Sequence, residues 1–573
     1  MCGIFCAINQ NTAGCLDLTD TLKTVLNNRG PDVQDELRLD NILLSGSVLW
    51  QQGESIQKQP VIEGDCVLLF NGDLYNLEKP DSMADTFWLA KKLSDCHCDE
   101  EILSVLKVLE GPYCLIIYNR REEMLYFCRD ALGRNSLIIE HNQQELHLLS
   151  TSFYSDIDQL STLELPPLGL YKLKIDNLSS CVLYPWQPLN AYTHQQLITL
   201  DLAMGWKTII KRTISPDWLL KSKLDFGYDF YKVPYVENHE TLYENLLSTP
   251  QVQSALATFN KLLQSSVASR VQTAPFCRNC LKIGQNTSIC THAKVCILFS
   301  GGIDCTVLAI LADRYVPDGE PIELINVAFE RITAPNTADT QEYWNVPDRK
   351  TALQSYNELK RICPKRFWIL IEVNVTRQEL QLQLSQHIRH LIYPLQTVLD
   401  ESLGCAFWFA THTVLSSARV ALIGSGADEL FGGYTRHRNA YRHCLGDEIE
   451  RQLVVQNELE KDWQRIPARN LARDDRVIAD NGKTARAPFI EENVVRFVRS
   501  LMPKQKCCYS FPEGVGDKLL LRLYGYQLGL RDAVLLKKRA IQFGSRIADK
   551  KQHAAQNSIF LKFNLANSLE NTC

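Results

Sequence analysis

Missing from this 573-residue chain are any run of roughly 18 or more apolar residues and any N-terminal basic start followed by an apolar core. The first absence argues against a membrane-spanning helix and a membrane partner. The second argues against a secretory signal, so the cytoplasm is the expected compartment. An excess of one charge is lacking too, since 61 Lys and Arg stand against 66 Asp and Glu for a net charge of -5. A globally basic surface is therefore not expected, and no nucleic-acid partner is expected with it. Internal repeats and low-complexity tracts are also absent, which leaves an ordinary globular organisation.

What is present suits a folded chain. Apolar residues make up 45% and charged residues 22%, close to the average for soluble domains. At about 150 residues per domain the length predicts three to four domains. A chain this long buries roughly three-quarters of its unfolded surface and needs no disulfide or structural metal. The 20 cysteines follow no framework spacing, so reduced thiols are expected.

Two textures divide the sequence. Up to Pro185 the apolar runs are short and bounded by turn signals: Ile42–Leu44, Val67–Phe70, Tyr113–Tyr118, Leu125–Cys128 and Leu146–Leu149. That spacing predicts mostly antiparallel sheets. From Ala293 onward strand and helix alternate: Lys294–Phe299 then Thr306–Tyr315, Glu323–Phe329 then Arg349–Ile362, Phe367–Val375 then Gln378–Leu391. That alternation predicts a parallel sheet with right-handed crossovers. The expected divisions are residues 2–185, a linker or insertion over 186–288 holding one amphipathic helix at Val252–Val267, and 289–556.

Chemistry is first signalled at the N-terminus. Cys2, Ile4, Cys6 and Ile8 alternate with Phe5 and Ala7, which predicts a strand apolar on both faces inside a two-sheet sandwich. If Met1 is removed, the Cys2 thiol stands beside a free α-amine of reference pKa about 7.7–8.0, which can serve as its general base. Asn71-Gly72 can supply a side-chain amide and a backbone N–H to a developing oxyanion, though Asn-Gly is also a turn signal. The second signal is Ser300-Gly301-Gly302-Ile303-Asp304-Cys305-Thr306 between a strand and a helix. Two glycines let backbone N–H groups approach an anion at the helix N-terminus. A carboxylate there calls for a cation between it and phosphate, and magnesium is expected. Lys538 could neutralise charge developing on such a phosphate, or be a solvated lysine beside Lys537 and Arg539.

Met1-Cys2-Gly3-Ile4-Phe5, Arg29-Gly30-Pro31-Asp32, Asn71-Gly72-Asp73-Leu74-Tyr75-Asn76, Asp85, Gly111-Pro112-Tyr113 and Arg129-Asp130-Ala131-Leu132-Gly133 resemble, in order, the class II glutamine amidotransferases joined to asparagine synthetase. The second half resembles the synthetase domain of that family, an ATP-pyrophosphatase domain, through the Ser300–Thr306 loop, Gly426–Tyr434, Asp474-Asp475-Arg476, Ala485–Phe489 and Lys538. Val346–Arg349, Tyr434–Arg438 and Arg539–Arg546 are similar to a divergent animal branch of the family. The resemblance implies an N-terminal αββα glutaminase sandwich of the N-terminal-nucleophile type followed by a doubly wound parallel sheet. It also implies carboxylate adenylation by ATP and amidation by ammonia, the chemistry of asparagine biosynthesis. It assigns Cys2 as nucleophile, Asn71 and Gly72 as oxyanion donors, and Asp85 as partner of the substrate ammonium. Ser300, Gly301, Gly302, Asp304, Cys305, Thr306, Phe329 and Gly424 would line the nucleotide, with magnesium on Asp304 and Asp428 and Lys538 at the reacting phosphate. The implied small molecules are ATP, glutamine or ammonia, and a carboxylic acid such as aspartate, with protein partners unidentified.

Four features depart from the family pattern, one being Ile490-Glu491 in place of the usual Leu-Asp after Pro488-Phe489. Ser45 through Gln59 contains no arginine to grip an α-carboxylate, Ser425 stands where a glutamate is usual, and Cys305 replaces a serine. A scaffold that keeps the fold and acts by binding partners is the alternative from another class. Cys277, Cys280, Cys290, His292 and Cys296 supply ligand types for zinc, but their spacing fits no standard finger.

Overall fold

The computed structural model describes residues 2–10, 16–142, 144–153, 161–219, 224–273, 292–330, 343–548 and 555–561. In the first half the short apolar runs become strands β1 (Gly3–Asn9), β2 (Val33–Leu39), β3 (Ile42–Val48), β4 (Val61–Glu63), β5 (Cys66–Gly72), β6 (Tyr113–Asn119) and β7 (Met124–Arg129). They continue with β8 (Ile138–His141), β9 (Glu145–Leu149), β10 (Ser161–Glu164), β11 (Gly169–Lys174), β12 (Asn177–Pro185) and β13 (Ile209–Ile210). Six form a sheet in the order β10-β8-β9-β1-β3-β2, and seven a second in the order β13-β12-β11-β7-β6-β5-β4. The described pairings are antiparallel except β12 with β13.

Period-two alternation accounts for the layering. Ile4, Cys6 and Ile8 face the second sheet and pack with Val67, Leu69, Ile116 and Phe127. Phe5 and Ala7 point the other way, onto Leu26 of helix Asp20–Arg29. Leu68, Phe70, Leu115 and Ile117 meet Leu89, Leu93 and Leu103 from helices Asp85–Ser94 and Asp99–Lys107. The result is the expected helix–sheet–sheet–helix sandwich. Each large apolar side chain buried in it contributes about 1.5–3 kcal/mol.

The second half is one five-stranded sheet of β14 (Val295–Leu298), β15 (Ile322–Phe329), β16 (Trp368–Val375), β17 (Val420–Leu422) and β18 (Thr484–Arg486). Its order is β16-β15-β14-β17-β18 and all four pairings are parallel. Chain order runs outward from β14 to β16, then resumes on the other side at β17, so the topology reverses beside β14. In open sheets of this kind ligands collect at that reversal, outside the carboxyl ends of the strands. Helices cover both faces: Ile297 and Leu324 pack on one side with Val307 and Leu311, while Cys296, Ile325 and Ala421 pack on the other with Cys405 and Phe409.

Residues 186–288 do not behave as a linker where the structure describes them. Helix Pro250–Val271 buries Val252, Ala255, Leu256, Phe259, Leu263 and Val267 in the same core as β14 and helix Ile303–Tyr315. Its apolar positions recur at helical spacing, and 22 residues of such a face must find a core. The segment expected to be a linker or an insertion thus supplies a wall of the second domain.

Buried charge ties the halves together. Among the described residues five arginine–carboxylate pairs cross the seam: Arg29–Asp475, Asp32–Arg419, Asp73–Arg486, Arg134–Glu492 and Glu164–Arg476. Arg419 grips both oxygens of Asp32, at 2.6 and 2.7 Å.

Candidate active sites and the cavity between them

Cys2 stands just before β1, half-buried at the end of the sandwich. Its backbone N–H donates to Asn71 Oδ1 at 2.8 Å. Its carbonyl accepts from Arg29 Nε at 3.3 Å and Ser150 Oγ at 3.4 Å. The nitrogen that would become the α-amine is therefore held by the side chain expected to serve the oxyanion. Asn71 closes β5 opposite Cys114, and its Nδ2 faces Cys114 Sγ at 3.6 Å. An oxyanion role for Asn71 therefore needs this carboxamide to turn. Gly72 lies against Pro112 and Tyr113, where a side chain would collide with the Pro112 carbonyl. The Gln59 carboxamide exchanges hydrogen bonds with the backbone of Phe70, at 2.7 and 2.9 Å. This pairing fixes the strand that carries Asn71, and the sequence motif alone does not reveal it.

Asp85 is 3% exposed and its Oδ2 accepts the Leu74 N–H at 2.7 Å. Burial raises its carboxyl above the ordinary value. Lys79 Nζ is 3.3 Å from Oδ1. Gln52 joins Asp85 to Asp73, accepting from the Asp85 N–H at 3.2 Å and donating to Asp73 Oδ1 at 3.0 Å. The other Asp73 oxygen accepts from Arg486 Nε of the second half at 3.0 Å.

In the second half the loop after β14 takes the predicted shape. Gly301 has φ of +78° and packs so that any Cβ would strike the Thr351 carbonyl. Thr351 Oγ1 and Ser355 Oγ donate to the Ser300 and Gly301 carbonyls, each at 2.7 Å, clamping the loop to helix Pro347–Ile362. Ser300, Gly302, Asp304, Cys305, Gly424, Ser425, Asp428 and Lys538 line one cavity of about 430 Å³. Thr306 lies outside it, donating to the Gly302 carbonyl at 2.8 Å within its own helix. Phe329 is likewise not brought to the cavity wall: its ring is fully buried and packs edge-on against Phe409 at 5.9 Å. Gly301 supports the loop from behind rather than lining the cavity.

Lys518 is the main residue that sequence reasoning missed. It is buried in the left-handed region at φ of +54°, and its Nζ lies 2.8 and 2.6 Å from the two Asp304 oxygens and 2.6 Å from Asp428 Oδ1. Lys538 Nζ lies 2.6 Å from Asp428 Oδ2. Burial alone would raise Asp428, but these two ammonium groups hold it well below the usual carboxylate range. For Lys538 burial pulls downward, and Asp428 and Asp304 raise it above the ordinary lysine value. Glu429 is pushed up to about 7 by burial and by the charge on Asp428. Its Oε1 accepts from Tyr434 at 2.7 Å and from Asn470 Nδ2 at 3.0 Å. The one signal for Lys518 was its place in Asp517-Lys518, directly before the apolar run Leu519–Leu521.

Asp304 and Asp428 converge on one ammonium group, so their oxygens lie close enough to share a single small cation. Oxygen donors of this charge fit magnesium, which takes its remaining ligands from water and phosphate. Cys277, Cys280 and Cys290, whose residue types with His292 and Cys296 left zinc open, lie outside the described residues. Cys296 is buried in β14, with its thiol pushed up to about 12 by that burial. Among the described residues no group of three or more His, Cys, Asp or Glu side chains is arranged to hold a metal.

A second, smaller cavity sits on the seam. Asn135, Arg134, Arg270, Asp475 and Arg486 line it, and it shares Ile423 and Asp474 with the large cavity. Of its lining residues, Asn135 donates through Nδ2 to the Asn71 carbonyl at 2.8 Å. The small cavity thus abuts the phosphate-loop cavity and lies one hydrogen bond from the strand residue that holds Cys2.

A glutamine amidotransferase domain model matches residues 1–167 and an asparagine synthase model residues 287–453. An asparagine synthetase domain-containing protein of Drosophila melanogaster is 60% identical over 565 residues, covering 97% of this chain and 100% of that protein. Asparagine synthetase domain-containing protein 1 of Homo sapiens is 33% identical, covering 96% of this chain and 95% of its own. A namesake from Saccharomyces cerevisiae is 29% identical, covering 84% and 79%.

Proposed function

Since the chain belongs to the asparagine synthetase domain-containing protein family, we propose that it is an ATP-dependent amidotransferase that adenylates a carboxylic acid and amidates it with ammonia released from glutamine. One observation carries the reading: the cavity of the Ser300–Asp304 loop shares Ile423 and Asp474 with a small seam cavity, whose wall residue Asn135 donates to the backbone carbonyl of Asn71, the residue that holds Cys2. A protein that only scaffolds partners has no chemical need for such an arrangement.

The residues take these roles. With Met1 removed, the Cys2 amine accepts the thiol proton while the thiolate attacks the glutamine carboxamide. Asn71 Oδ1 orients that amine, and Arg29 fixes the Cys2 carbonyl. In the second half the backbone of Ser300 and Gly302 cradles phosphate, and Lys518 and Lys538 offset its charge. Asp304 and Asp428 would hold magnesium, which when bound screens the phosphate oxygens against these carboxylates. The apolar wall of Leu399, Leu403, Ala406 and Phe407 suits a nucleobase. The acceptor then faces Glu429, Tyr434 and Asn470.

The native protein should have an intact mass lower by one methionine. Cys2→Ala should abolish glutamine-dependent pyrophosphate release and spare the ammonia-dependent reaction across a panel of acids. Asp304→Asn should weaken magnesium-dependent ATP binding in calorimetry. Absence of Mg-ATP binding by the unmodified protein at millimolar nucleotide would remove the enzyme reading and leave the scaffold.

A further inference from the structure

Resting on the glutaminase reading above, in which Asp85 takes the α-ammonium of an α-amino acid, we propose that Lys79 takes its α-carboxylate, so that the two clamp the zwitterionic end. Asp85 Oδ1 is buried and accepts no hydrogen bond, although Lys79 Nζ lies 3.3 Å away. A buried carboxylate oxygen without a donor is costly, and an ammonium group brings up to three. The other oxygen is fixed by the Leu74 N–H, so Oδ1 is held facing Lys79.

Lys79 supplies the complementary charge. Its side chain is 14% exposed, so a ligand can reach it, and its Nζ donates to the Met83 carbonyl at 2.7 Å. With one N–H on Met83 and the Asp85 oxygen beside another, the ammonium keeps a further N–H for a carboxylate. Ser45 through Gln59 offers no arginine for this purpose. Arg486, the cation at neighbouring Asp73, already donates to Asp73 Oδ2 through Nε and to the Arg270 carbonyl through Nη1. The clamp is also correctly placed along the chain. Leu74, which holds Asp85, follows Asn71, which holds Cys2, by three residues, a span of at most about 11 Å. An amino acid seated on Lys79 and Asp85 therefore lies close to the strand end that holds Cys2.

Glutamine binding to full-length Cys2→Ala protein, measured by calorimetry, tests the clamp without requiring turnover. Adding Lys79→Ala should weaken glutamine about 10- to 100-fold, the usual range for losing a charged hydrogen-bond partner. Lys79→Arg should recover most of that loss. Glutamine α-methyl ester, which lacks the carboxylate, should bind with and without Lys79 equally weakly. The clamp is wrong if Lys79→Ala binds glutamine as tightly as its parent, or if glutamine and the ester lose affinity by the same factor. Lysine-dependent glutamine binding in a protein whose intact Cys2 releases no glutamate would keep the clamp and refute the glutaminase reading. No glutamine binding at all by the Cys2→Ala parent at millimolar concentration would overturn both.

Discussion

Asp348 opens helix Pro347–Ile362 on the wall of the nucleotide cavity, and burial pushes its carboxyl from 3.8 up to about 7, with Lys538 and Arg539 offsetting only part of the effect. Between those values the folded protein keeps a proton that the unfolded chain releases. Its stabilising contribution is full below about pH 4 and is lost as the pH rises through 7. Asp348→Asn should flatten this decline and make the folded state more stable near neutral pH by on the order of 3–4 kcal/mol. Urea unfolding at acid and neutral pH reads the difference, and identical slopes in parent and variant would discount the buried carboxyl. The residue was legible in sequence only as part of a family-like string, because burial and its neighbours from residues 538 and 539 arise from the tertiary fold. Cys2, Asn71 and Asp304 were legible because each lies in a short motif whose chemistry is local. Phe329 shows the limit, since a strand-end aromatic gives no sequence sign of which face it will occupy.

At the scale of elements, the strand–loop–helix at Val295–Tyr315 needs Gly301. A left-handed residue bearing a Cβ costs about 1–2 kcal/mol before any clash, and here the Cβ would also meet the Thr351 carbonyl. Gly301→Ala should therefore lower stability by at least about 2 kcal/mol and impair ATP binding. A chemical melt with a nucleotide titration on the same sample checks both, and unchanged values would mean that the loop tolerates displacement. Helix Pro250–Val271 carries a second prediction: Phe259→Ala, at a fully buried ring, should cost about 3–5 kcal/mol. An effect under 1 kcal/mol, judged against the usual range for such a cavity, would restore the linker expectation. Strand and helix periodicities gave the two sheet types, because alternation and helical spacing are local. The packing of this helix was illegible, since its partners lie some tens of residues ahead in β14 and the helix after it. The expected helix Gln378–Leu391 is also interrupted by a wide turn at Leu384–Ile388, which apolar spacing alone did not signal.

Across the whole molecule, the seam pairs make the halves interdependent. Arg419→Ala leaves the Asp32 carboxylate without its two charged donors, and breaking such a pair from one side costs about 3–5 kcal/mol. Asp32→Ala should cost a similar amount, while the double variant should lose much less than the sum. Additive losses in that cycle would show that the two residues act separately. None of the five pairs was predicted, although Arg29, Asp32, Arg476 and Arg486 all lay within quoted motifs. A motif names residues of one half, and nothing in its own spacing points to a partner in the other.

The Asp32–Arg419 contact joins positions 387 residues apart in the chain, and this bears on how the protein can be inherited. A lesion at Arg419 should be relieved by second-site suppressors clustered around Asp32, in the opposite domain, rather than by changes close to it in sequence. Recombinants that exchange one half between distant relatives should be sick unless both members of each pair travel together.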